Sequence, residues 1–164
     1  MRDYWFTSDT HFFHKNIIRY CKRPFSSVEE MNEVLIDNWN SVVKPGDLVY
    51  HLGDVAMGYN KGEFEKLWPR LNGSKRLIVG NHDNIPYLSR GAFFKKVQMW
   101  RVWNDKPLLF THVPVHQDSI HERIVQAGGI NVHGHTHNNG SPEGPYKCVC
   151  VELTNYTPVN LEEL

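Results

Sequence analysis

Metal-binding residue types recur directly after short apolar segments of the chain. Carboxylates, imidazoles and amide oxygens are ordinary ligands of divalent cations. If the ends of these segments meet in the fold, the pattern predicts a metal site. Five segments are followed by such residues: Asp9 and His11, Asp54, Asn81, His112, and His135 with His137.

The motifs that contain these residues differ in specificity. Asp9-Thr10-His11 and Gly53-Asp54 are patterns that occur by chance in many chains. Gly80-Asn81-His82-Asp83 is more specific, because three polar residues follow a fully apolar segment. Gly134-His135-Thr136-His137 holds two imidazoles that can turn to one ion. A single histidine of this kind is more often a hydrogen-bonded loop residue, but the conjunction of all these motifs favours a metal centre.

Strands are predicted for the apolar segments that precede the motifs. Short apolar runs that end at a motif are typical of buried strands. In open α/β sheets, sites form beyond the carboxyl ends of neighbouring strands, which would place these residues on one rim. The predicted strands are 4–7, 48–52, 76–79, 108–110 and 130–132, with two further strands at 97–102 and 148–153.

Helices are predicted between the strands. Ser27-Val28-Glu29-Glu30 is a capping-box signature, and apolar residues follow the helical period from 28 to 42. A second helix covers about 64–71, where Pro69 must kink or shorten it, and a short helix covers about 120–127. Strands separated by helices predict an α/β domain with a largely buried sheet.

The order of the motifs resembles the signature of the calcineurin-like metallophosphoesterase superfamily, which runs Asp-x-His, Gly-Asp, Gly-Asn-His-Asp/Glu, His and Gly-His-x-His. Every signature position is present between Asp9 and His137. Thr10-His11-Phe12, Arg23-Pro24-Phe25 and Asn155-Tyr156-Thr157-Pro158 are further similar to small stand-alone bacterial and phage phosphoesterases. The resemblance implies a four-layer α-β-β-α sandwich of two mixed sheets flanked by helices.

The resemblance also implies two metal ions and their ligands. A bridging carboxylate offsets part of the repulsion between two dications roughly 3.5–4 Å apart. Nitrogen and oxygen ligands without cysteine suit Mn, Fe, Zn or Ni better than Ca or Mg, and Mn²⁺ is the metal we expect. The implied ligands are Asp9, His11 and His137 for one ion and Asn81, His112 and His135 for the other, with Asp54 as the bridge.

The implied reaction is direct hydrolysis of a phosphoric ester without a covalent phospho-enzyme. A hydroxide that bridges the ions attacks phosphorus in line, and the ions stabilise charge on the phosphoryl oxygens. Asp54 is therefore catalytic through its bridging position. Family likeness makes His82 the general acid for the leaving oxygen, a role worth roughly 10²–10⁴ in rate. Asn81, His82 and Arg23 are the candidate substrate-binding residues.

Composition limits the class of protein. The chain has 164 residues, 40% of them hydrophobic, which suits a single domain over 1–164. Lys plus Arg equals Asp plus Glu at 18 each, so the formal charge is zero, and a surface that coats nucleic acid is not expected. Two bound dications would still make the site electropositive. The sequence does not indicate the oligomeric state.

The expected location is the cytoplasm. Apolar runs fall short of the roughly 18 residues of a membrane span, so we expect no membrane partner. The N-terminus lacks the pattern of a signal peptide. The chain has three cysteines, an odd number that agrees with a reducing compartment: Cys21, Cys148 and Cys150. We interpret the last two as small apolar residues on one strand face.

The expected substrate is a small phosphorylated or nucleotide-like molecule. A general acid favours diesters, whose alkoxide leaving groups are poor, and 2′,3′-cyclic nucleotides are the first candidates by resemblance. Phosphomonoesters, nucleotide pyrophosphates and nucleic acids are alternatives, although zero net charge weighs against a nuclease. A non-catalytic scaffold that binds a protein partner is also considered, but such proteins typically lose ligands that this chain keeps.

The other histidines have no assigned chemistry. His14 is expected at a helix start or beside the ligands, and His51 is expected as a hydrogen-bonded strand residue. His116 and His121 lie after His112, where a loop could contact substrate. Strand alternation alone does not exclude His133 as a ligand, because it shares the parity of His135 and His137.

Overall fold

The computed structural model describes residues 2–103, 105–120 and 122–164, which form two β-sheets. The first sheet has the order β4-β3-β2-β1-β9, in which β9 is antiparallel to β1 and the other pairs are parallel. Its strands are β1 (Tyr4–Thr7), β2 (Leu48–His51), β3 (Ser74–Ile78), β4 (Lys96–Gln98) and β9 (Val159–Asn160).

The second sheet has the order β5-β6-β7-β8 and is also mixed. β5 pairs antiparallel with β6, and the remaining pairs are parallel. The mixed pairing in both sheets agrees with the implied sandwich. The strands of this sheet are β5 (Trp100–Trp103), β6 (Leu108–Thr111), β7 (Ile130–His133) and β8 (Tyr146–Cys148).

Helices cover the first sheet, and a short helix lies on the second. The N-terminal cap of the longest helix is confirmed, since the Ser27 side chain accepts a hydrogen bond from the Glu30 amide at 3.1 Å. Glu30 completes the turn differently from a capping box, because its carboxylate accepts from the Ser26 amide. The helices are α1 (Lys15–Tyr20), α2 (Val28–Val42), α3 (Lys61–Leu67), α4 (Ile85–Leu88) and α5 (Glu122–Gln126), with a 3₁₀ turn at Trp68–Arg70.

Two hydrophobic cores hold the layers of helices and sheets together. One core lies between the helices and the first sheet and includes Leu35, Trp39 and Phe64. The other lies between the two sheets, where the ring centres of Phe6 and Phe110 are 5.0 Å apart. Among the described residues, no helix is long and apolar enough to cross a membrane. The implied α-β-β-α sandwich is confirmed.

Two predicted strands were wrong in extent. The segment 97–102 is not one strand, because the chain leaves the first sheet after Gln98 and enters the second at Trp100. The segment 148–153 is not a strand beyond Cys148, since residues Val151–Leu153 form a 3₁₀ turn. The prediction of one buried sheet is corrected by the same crossing, which an apolar pattern along the chain does not reveal.

Lys75 on β3 is a buried cation that costs stability at neutral pH. Its ammonium donates to the Leu71 carbonyl and lies 5.5 Å from the Trp68 ring centre. Burial lowers the pKa of Lys75 to about 8. The unfolded chain therefore holds more protons between pH 8 and the ordinary lysine pKa, and stability rises with pH over that window.

We expect Lys75→Met to raise the free energy of unfolding at pH 7 by about 1–2 kcal/mol. The gain should shrink above pH 8 as the native lysine loses its proton, and it should be small near pH 10.5. Urea denaturation at both pH values measures it. Lys96→Met, at an exposed position on β4, is the control and should change stability little. A less stable Lys75→Met at pH 7 would contradict this account.

Candidate metal centre

The ends of β1, β2, β3, β6 and β7 meet at one rim of the molecule. Within the first sheet, the Asp9 amide donates to Gly53 O at 3.0 Å. Across the two sheets, the His135 amide donates to Asp9 Oδ2 at 2.8 Å. The Gly134 amide donates to His112 O at 2.8 Å, which joins the last two strand ends. The structure therefore brings together all the residues that the sequence places after apolar segments.

Asp9, His11 and His137 form the first group of potential ligands, whose donor atoms lie within 4.8 Å of one another. Asp9 Oδ1 is 3.7 Å from His137 Nε2 and 3.9 Å from His11 Nε2. Asp9 Oδ1 and His11 Nε2 are buried and have no hydrogen-bond partner. Buried polar atoms are normally paired, so these two orphaned atoms fit a bound cation.

Asp54, His112 and His135 form the second group, with donor atoms again within 4.8 Å. Asn81 belongs to it as well, because its Oδ1 lies 2.9 Å from His112 Nε2 and 3.0 Å from His135 Nδ1. The other ring nitrogen of His112 is 2.8 Å from Leu52 O, so it donates there and leaves Nε2 free as an acceptor. Four donor groups thus converge on one point.

Asp54 lies between the two groups. Its Oδ2 is 3.5 Å from His11 Nε2 and also 3.5 Å from His112 Nε2. Its other oxygen accepts a hydrogen bond from the His82 amide at 2.9 Å, which fixes the carboxylate. One carboxylate oxygen equidistant from a nitrogen of each group is the geometry that a bridging ligand requires.

Most of these ligand candidates have left-handed backbone. Non-glycine residues rarely adopt positive φ, and each one costs of order 1–3 kcal/mol unless its surroundings hold it. Here the strain is concentrated at the rim, as is usual for functional sites. The φ values are 57° at Asp9, 47° at His11, 56° at Asp54, 69° at His135 and 49° at His137.

Two motif glycines make room for carboxylates. A Cβ on Gly80 would overlap Asp54 Oδ1, and a Cβ on Gly134 would overlap Ser8 Oγ and Asp9 Oδ2. The glycine of each motif is therefore required by the close approach of an acidic side chain from a neighbouring strand end.

His82 projects into the site without joining either ligand group. It is exposed, and its ring centre lies 5.7 Å from that of His11. His14 is nearer to the ligands, with Nδ1 3.3 Å from His11 Nδ1, and it precedes the first residue of α1. The placement of His82 is compatible with the role of general acid, which stays a prediction.

Arg23 does not lie where it was expected from the sequence, in contact with substrate. Its guanidinium is buried behind the ligands and donates to Asp9 O at 2.7 Å and Thr10 O at 2.9 Å. It also donates to Glu152 Oε1 at 2.7 Å. With these partners and no exposed surface, the guanidinium positions the Asp9 turn and is closed off from a ligand at the rim.

Glu152 is a supporting residue that sequence reasoning missed. Its Oε1 accepts from Arg23 and lies 2.9 Å from His137 Nδ1, which leaves Nε2 of His137 facing Asp9. Carboxylates that orient a metal-bound histidine raise its basicity and fix its ring. The mistaken strand at 148–153 hid this role, and no local motif marks it.

Asp83 ties two motifs together. Its carboxylate accepts hydrogen bonds from the amides of Asp54 at 3.1 Å, Val55 at 2.9 Å and Gly80 at 2.8 Å. Burial raises the pKa of Asp83 to about 6, although these amides favour the charged form. Asp83 is the last residue of the Gly-Asn-His-Asp motif, so the sequence held a signal for it.

The imidazoles of the first group differ in charge. Burial, together with the charge of Arg23, lowers the pKa of His11 far below its ordinary value, so His11 is neutral, which is the form of imidazole that can bind a metal. Burial also works against protonation of His137. Hydrogen bonds to Cys21 and Glu152 and the charge of Asp9 nevertheless raise its pKa to about 10. A cation that bound at His137 would therefore displace a proton.

The remaining histidines have structural partners. His51 Nε2 lies 2.9 Å from Thr10 Oγ1, and burial lowers the pKa of His51 to about 3. His133 Nδ1 is 2.8 Å from Gly134 O, so its ring turns away from both ligand groups. His116 is exposed beside Asp118, and His121 lies outside the described residues.

Cys148 and Cys150 are buried free thiols beside the first group. Their sulfur atoms are 3.2 Å apart, and Cys150 Sγ lies 3.3 Å from Asp9 Oδ2. Both are buried as expected, but only Cys148 belongs to a strand, since Cys150 forms an isolated bridge with Ser8. Cys150 thereby occupies the second oxygen of Asp9 and leaves Oδ1 for the site.

Glu152→Gln is expected to weaken Mn²⁺ binding by about 10–100-fold, because it removes the charge that orients His137. Titration of the metal-free chain with Mn²⁺ measures the affinity. Glu162→Gln removes an exposed carboxylate that contacts Lys106, and this control should bind Mn²⁺ like the unmodified chain. Equal affinities in both variants would show that Glu152 does not support the metal ligands.

Comparison with known proteins assigns a family. The family model described as Calcineurin-like phosphoesterase matches residues 3–139. The uncharacterized protein MJ1445 of Methanocaldococcus jannaschii is 41% identical over 170 aligned residues, which cover 99% of this chain and 89% of that protein. The Gene 66 protein of Mycobacterium phage L5 is 32% identical over 164 aligned residues, covering 84% of this chain and 79% of that protein.

A solved structure supports the fold. The crystal structure of the protein of unknown function AQ665 from Aquifex aeolicus superposes with a TM-score of 0.77 at 29% sequence identity. The match covers 99% of this chain and 97% of that chain, so the same arrangement of strands and helices extends over nearly the whole length of both.

Proposed function

This chain belongs to the calcineurin-like phosphoesterase family, and from that premise we propose that it hydrolyses small phosphodiesters with two divalent metal ions. Family membership makes it a metal-dependent phosphoric ester hydrolase. The proposal adds the number of ions and the substrate class. One observation supports it most: Asp54 Oδ2 lies 3.5 Å from a ring nitrogen of each ligand group.

The residues present fit two such ions. The orphaned Asp9 Oδ1 and His11 Nε2 need a partner, and His112 and His135 direct ring nitrogens at the Asn81 oxygen, where a cation would separate them. When bound, the ions supply Lewis acidity at the phosphoryl oxygens and water of lowered pKa. Mn²⁺ is the metal we propose, with Fe, Zn or Ni as alternatives, because the donors are nitrogen and oxygen.

The side chains have separate tasks in the proposed reaction. The carboxylates of Asp9 and Asp54 offset part of the cationic charge, and His11 stays neutral. Asn81 and His82 are exposed at the rim, where both can contact a phosphate. His82 holds the proton that passes to the leaving oxygen, which matters most when that oxygen leaves as an alkoxide.

Diesters, and 2′,3′-cyclic nucleotides first among them, are the substrates we propose. Their leaving groups are alkoxides, which need the proton from His82. Phosphomonoesters and nucleotide pyrophosphates are the alternative substrates. A scaffold without activity is disfavoured because all the ligand candidates converge. The cytoplasmic location and the lack of a stable nucleic-acid partner stay predictions.

A metal-reconstituted substrate screen tests the proposal. The metal-free chain is loaded with Mn²⁺, Fe²⁺, Zn²⁺ or Ni²⁺ and assayed with phosphomonoesters, acyclic diesters and 2′,3′-cyclic nucleotides. We expect Mn²⁺-dependent hydrolysis, fastest with diesters. Asp9→Asn prepared in parallel controls for contaminating phosphatases. Activity confined to monoesters would overturn the substrate class, and inactivity with every metal and substrate would overturn the function.

A further inference from the structure

A large apolar cavity opens beside the second ligand group. Its volume is about 1080 Å³, slightly above the usual range for sites that bind small molecules. It is bounded by β5, β6 and helix α5 and by the segment from Val79 to Ile85 that follows β3. Apolar side chains such as Val102, Leu109 and Ile124 line most of it.

The cavity is continuous with the metal centre. Asn81 and His112 are among the residues that line it, and the same two side chains meet at 2.9 Å in the second ligand group. Asp83 also lines it, but its carboxylate is occupied by three backbone amides. A phosphate held at the ligands would therefore direct one of its ester groups into an apolar space.

Large apolar side chains at the cavity are left in solvent. Trp100 is 61% exposed and Met99 is 67% exposed, at the point where the chain crosses between the sheets. Trp103 also lines the cavity, but its ring packs against the core, with its centre 5.9 Å from that of Tyr50. Large apolar side chains left exposed beside a cavity are typical of a binding site, and an indole is a good platform for a flat ring.

The charge of the cavity narrows the class of ligand. Among the described residues that line it, none is a lysine or arginine. A second phosphate, or a strand of nucleic acid, needs cationic partners along its path. The cavity suits a substrate with one phosphate and an uncharged organic group.

We propose that this cavity binds the organic group esterified to the phosphate, and that it selects an aromatic group of nucleobase size or larger, stacked on Trp100. The inference rests on the proposed phosphoesterase function and adds the chemical class of the substrate. It assigns Trp100, Met99 and Val113 to recognition of the ester group.

Phosphonates with a single organic group test the inference. Dissociation constants of methylphosphonate, phenylphosphonate and 1-naphthylphosphonate are measured by calorimetry with the Mn²⁺-loaded chain. We expect the aryl compounds to bind about 10-fold tighter than methylphosphonate, as for stacking of one base on an aromatic side chain. In Trp100→Ala the ratio should fall close to one, while Trp100→Phe should keep most of it.

A matched pair of valines serves as the control. Val113 lines the cavity and is 44% exposed, whereas Val125 is 41% exposed on α5 and does not line it. Val113→Ala should reduce the aryl preference about 2–3-fold, less than two fully buried methyl groups would give, because Val113 is partly exposed. Val125→Ala should leave the preference unchanged. Val125→Ala should also keep the methylphosphonate affinity of the unmodified chain.

The outcomes separate this inference from the proposed function. If the chain hydrolyses phosphodiesters with Mn²⁺ but binds all three phosphonates equally, the cavity inference is wrong and the function stands. If no hydrolysis occurs with any metal, the proposed function is wrong, and the inference that rests on it is overturned as well. If Trp100→Ala changes the sedimentation of the chain and not the aryl preference, the face is an interface between copies and the inference is overturned.

Discussion

Replacing Asp54 with alanine is expected to lower metal-dependent hydrolysis by about 10³-fold or more. Its Oδ2 lies 3.5 Å from a ring nitrogen of each ligand group. Without this carboxylate, two bound cations would repel each other, and several kcal/mol of transition-state stabilisation would depend on keeping both. Steady-state kinetics with bis(p-nitrophenyl) phosphate and metal analysis of the purified variant measure the effect.

The control for Asp54→Ala is Asp118→Ala, which removes an exposed carboxylate in the loop after His112. Asp54 Oδ1 also accepts a hydrogen bond from the His82 amide, so the loss of this carboxylate could affect folding as well. Circular dichroism and thermal unfolding therefore check that both variants are folded. A folded Asp54→Ala that keeps two ions and normal turnover would show that Asp54 is not the bridge.

Replacing His82 with alanine is expected to keep both metal ions and to lower the rate by about 10²–10⁴-fold. His82 is exposed at the rim and belongs to neither ligand group, so its loss leaves the ligands in place. The effect should depend on the leaving group. Diesters that release an alkoxide should show the full loss, and diesters that release p-nitrophenolate should lose much less.

Metal analysis distinguishes this role from ligation. His116→Ala, at an exposed loop histidine, is the matched control and should affect neither metal content nor rate. If His82→Ala binds fewer ions than the unmodified chain, His82 is a ligand and its assignment as general acid is wrong. A rate loss that is equal for alkoxide and nitrophenolate leaving groups would equally contradict proton donation.

The positions of the candidate ligands were predictable because each of them follows directly on one of five strands. Asp9, Asp54 and Asn81 leave three adjacent parallel strands, so a pattern of apolar runs ending in polar residues carries the information. Their convergence with His112 and His135 depends on how two sheets stack. That stacking came from the family resemblance, since periodicity along a chain does not say which sheet a strand joins.

Supporting residues were harder to predict because their partners are distant in sequence. Glu152 meets Arg23, 129 residues away, and Asp83 meets the Asp54 amide, 29 residues away. Arg23 was predicted to contact substrate, since an arginine near ligands suits a phosphate. In the fold its guanidinium instead satisfies the carbonyls of a left-handed turn, which no local pattern indicates.

The segment from Lys96 to Trp103 shows why the bounds of some predicted strands were wrong. Its residues have uniform strand character, yet Met99 separates a strand of one sheet from a strand of the other. The exposure of Met99 and Trp100 follows from this crossing, because neither sheet covers them. The cavity therefore depends on how the chain passes between the two sheets, and the sequence patterns did not predict it.

The number of Mn²⁺ ions bound per chain when hydrolysis appears decides whether the site works with two ions. The metal-free chain is titrated with Mn²⁺ while bound metal and hydrolysis of bis(p-nitrophenyl) phosphate are measured on the same samples. We predict that full activity requires two Mn²⁺ ions per chain, and that Asp54→Ala does not reach full activity at any Mn²⁺ concentration. Full activity with one ion per chain, or without added metal, would contradict it.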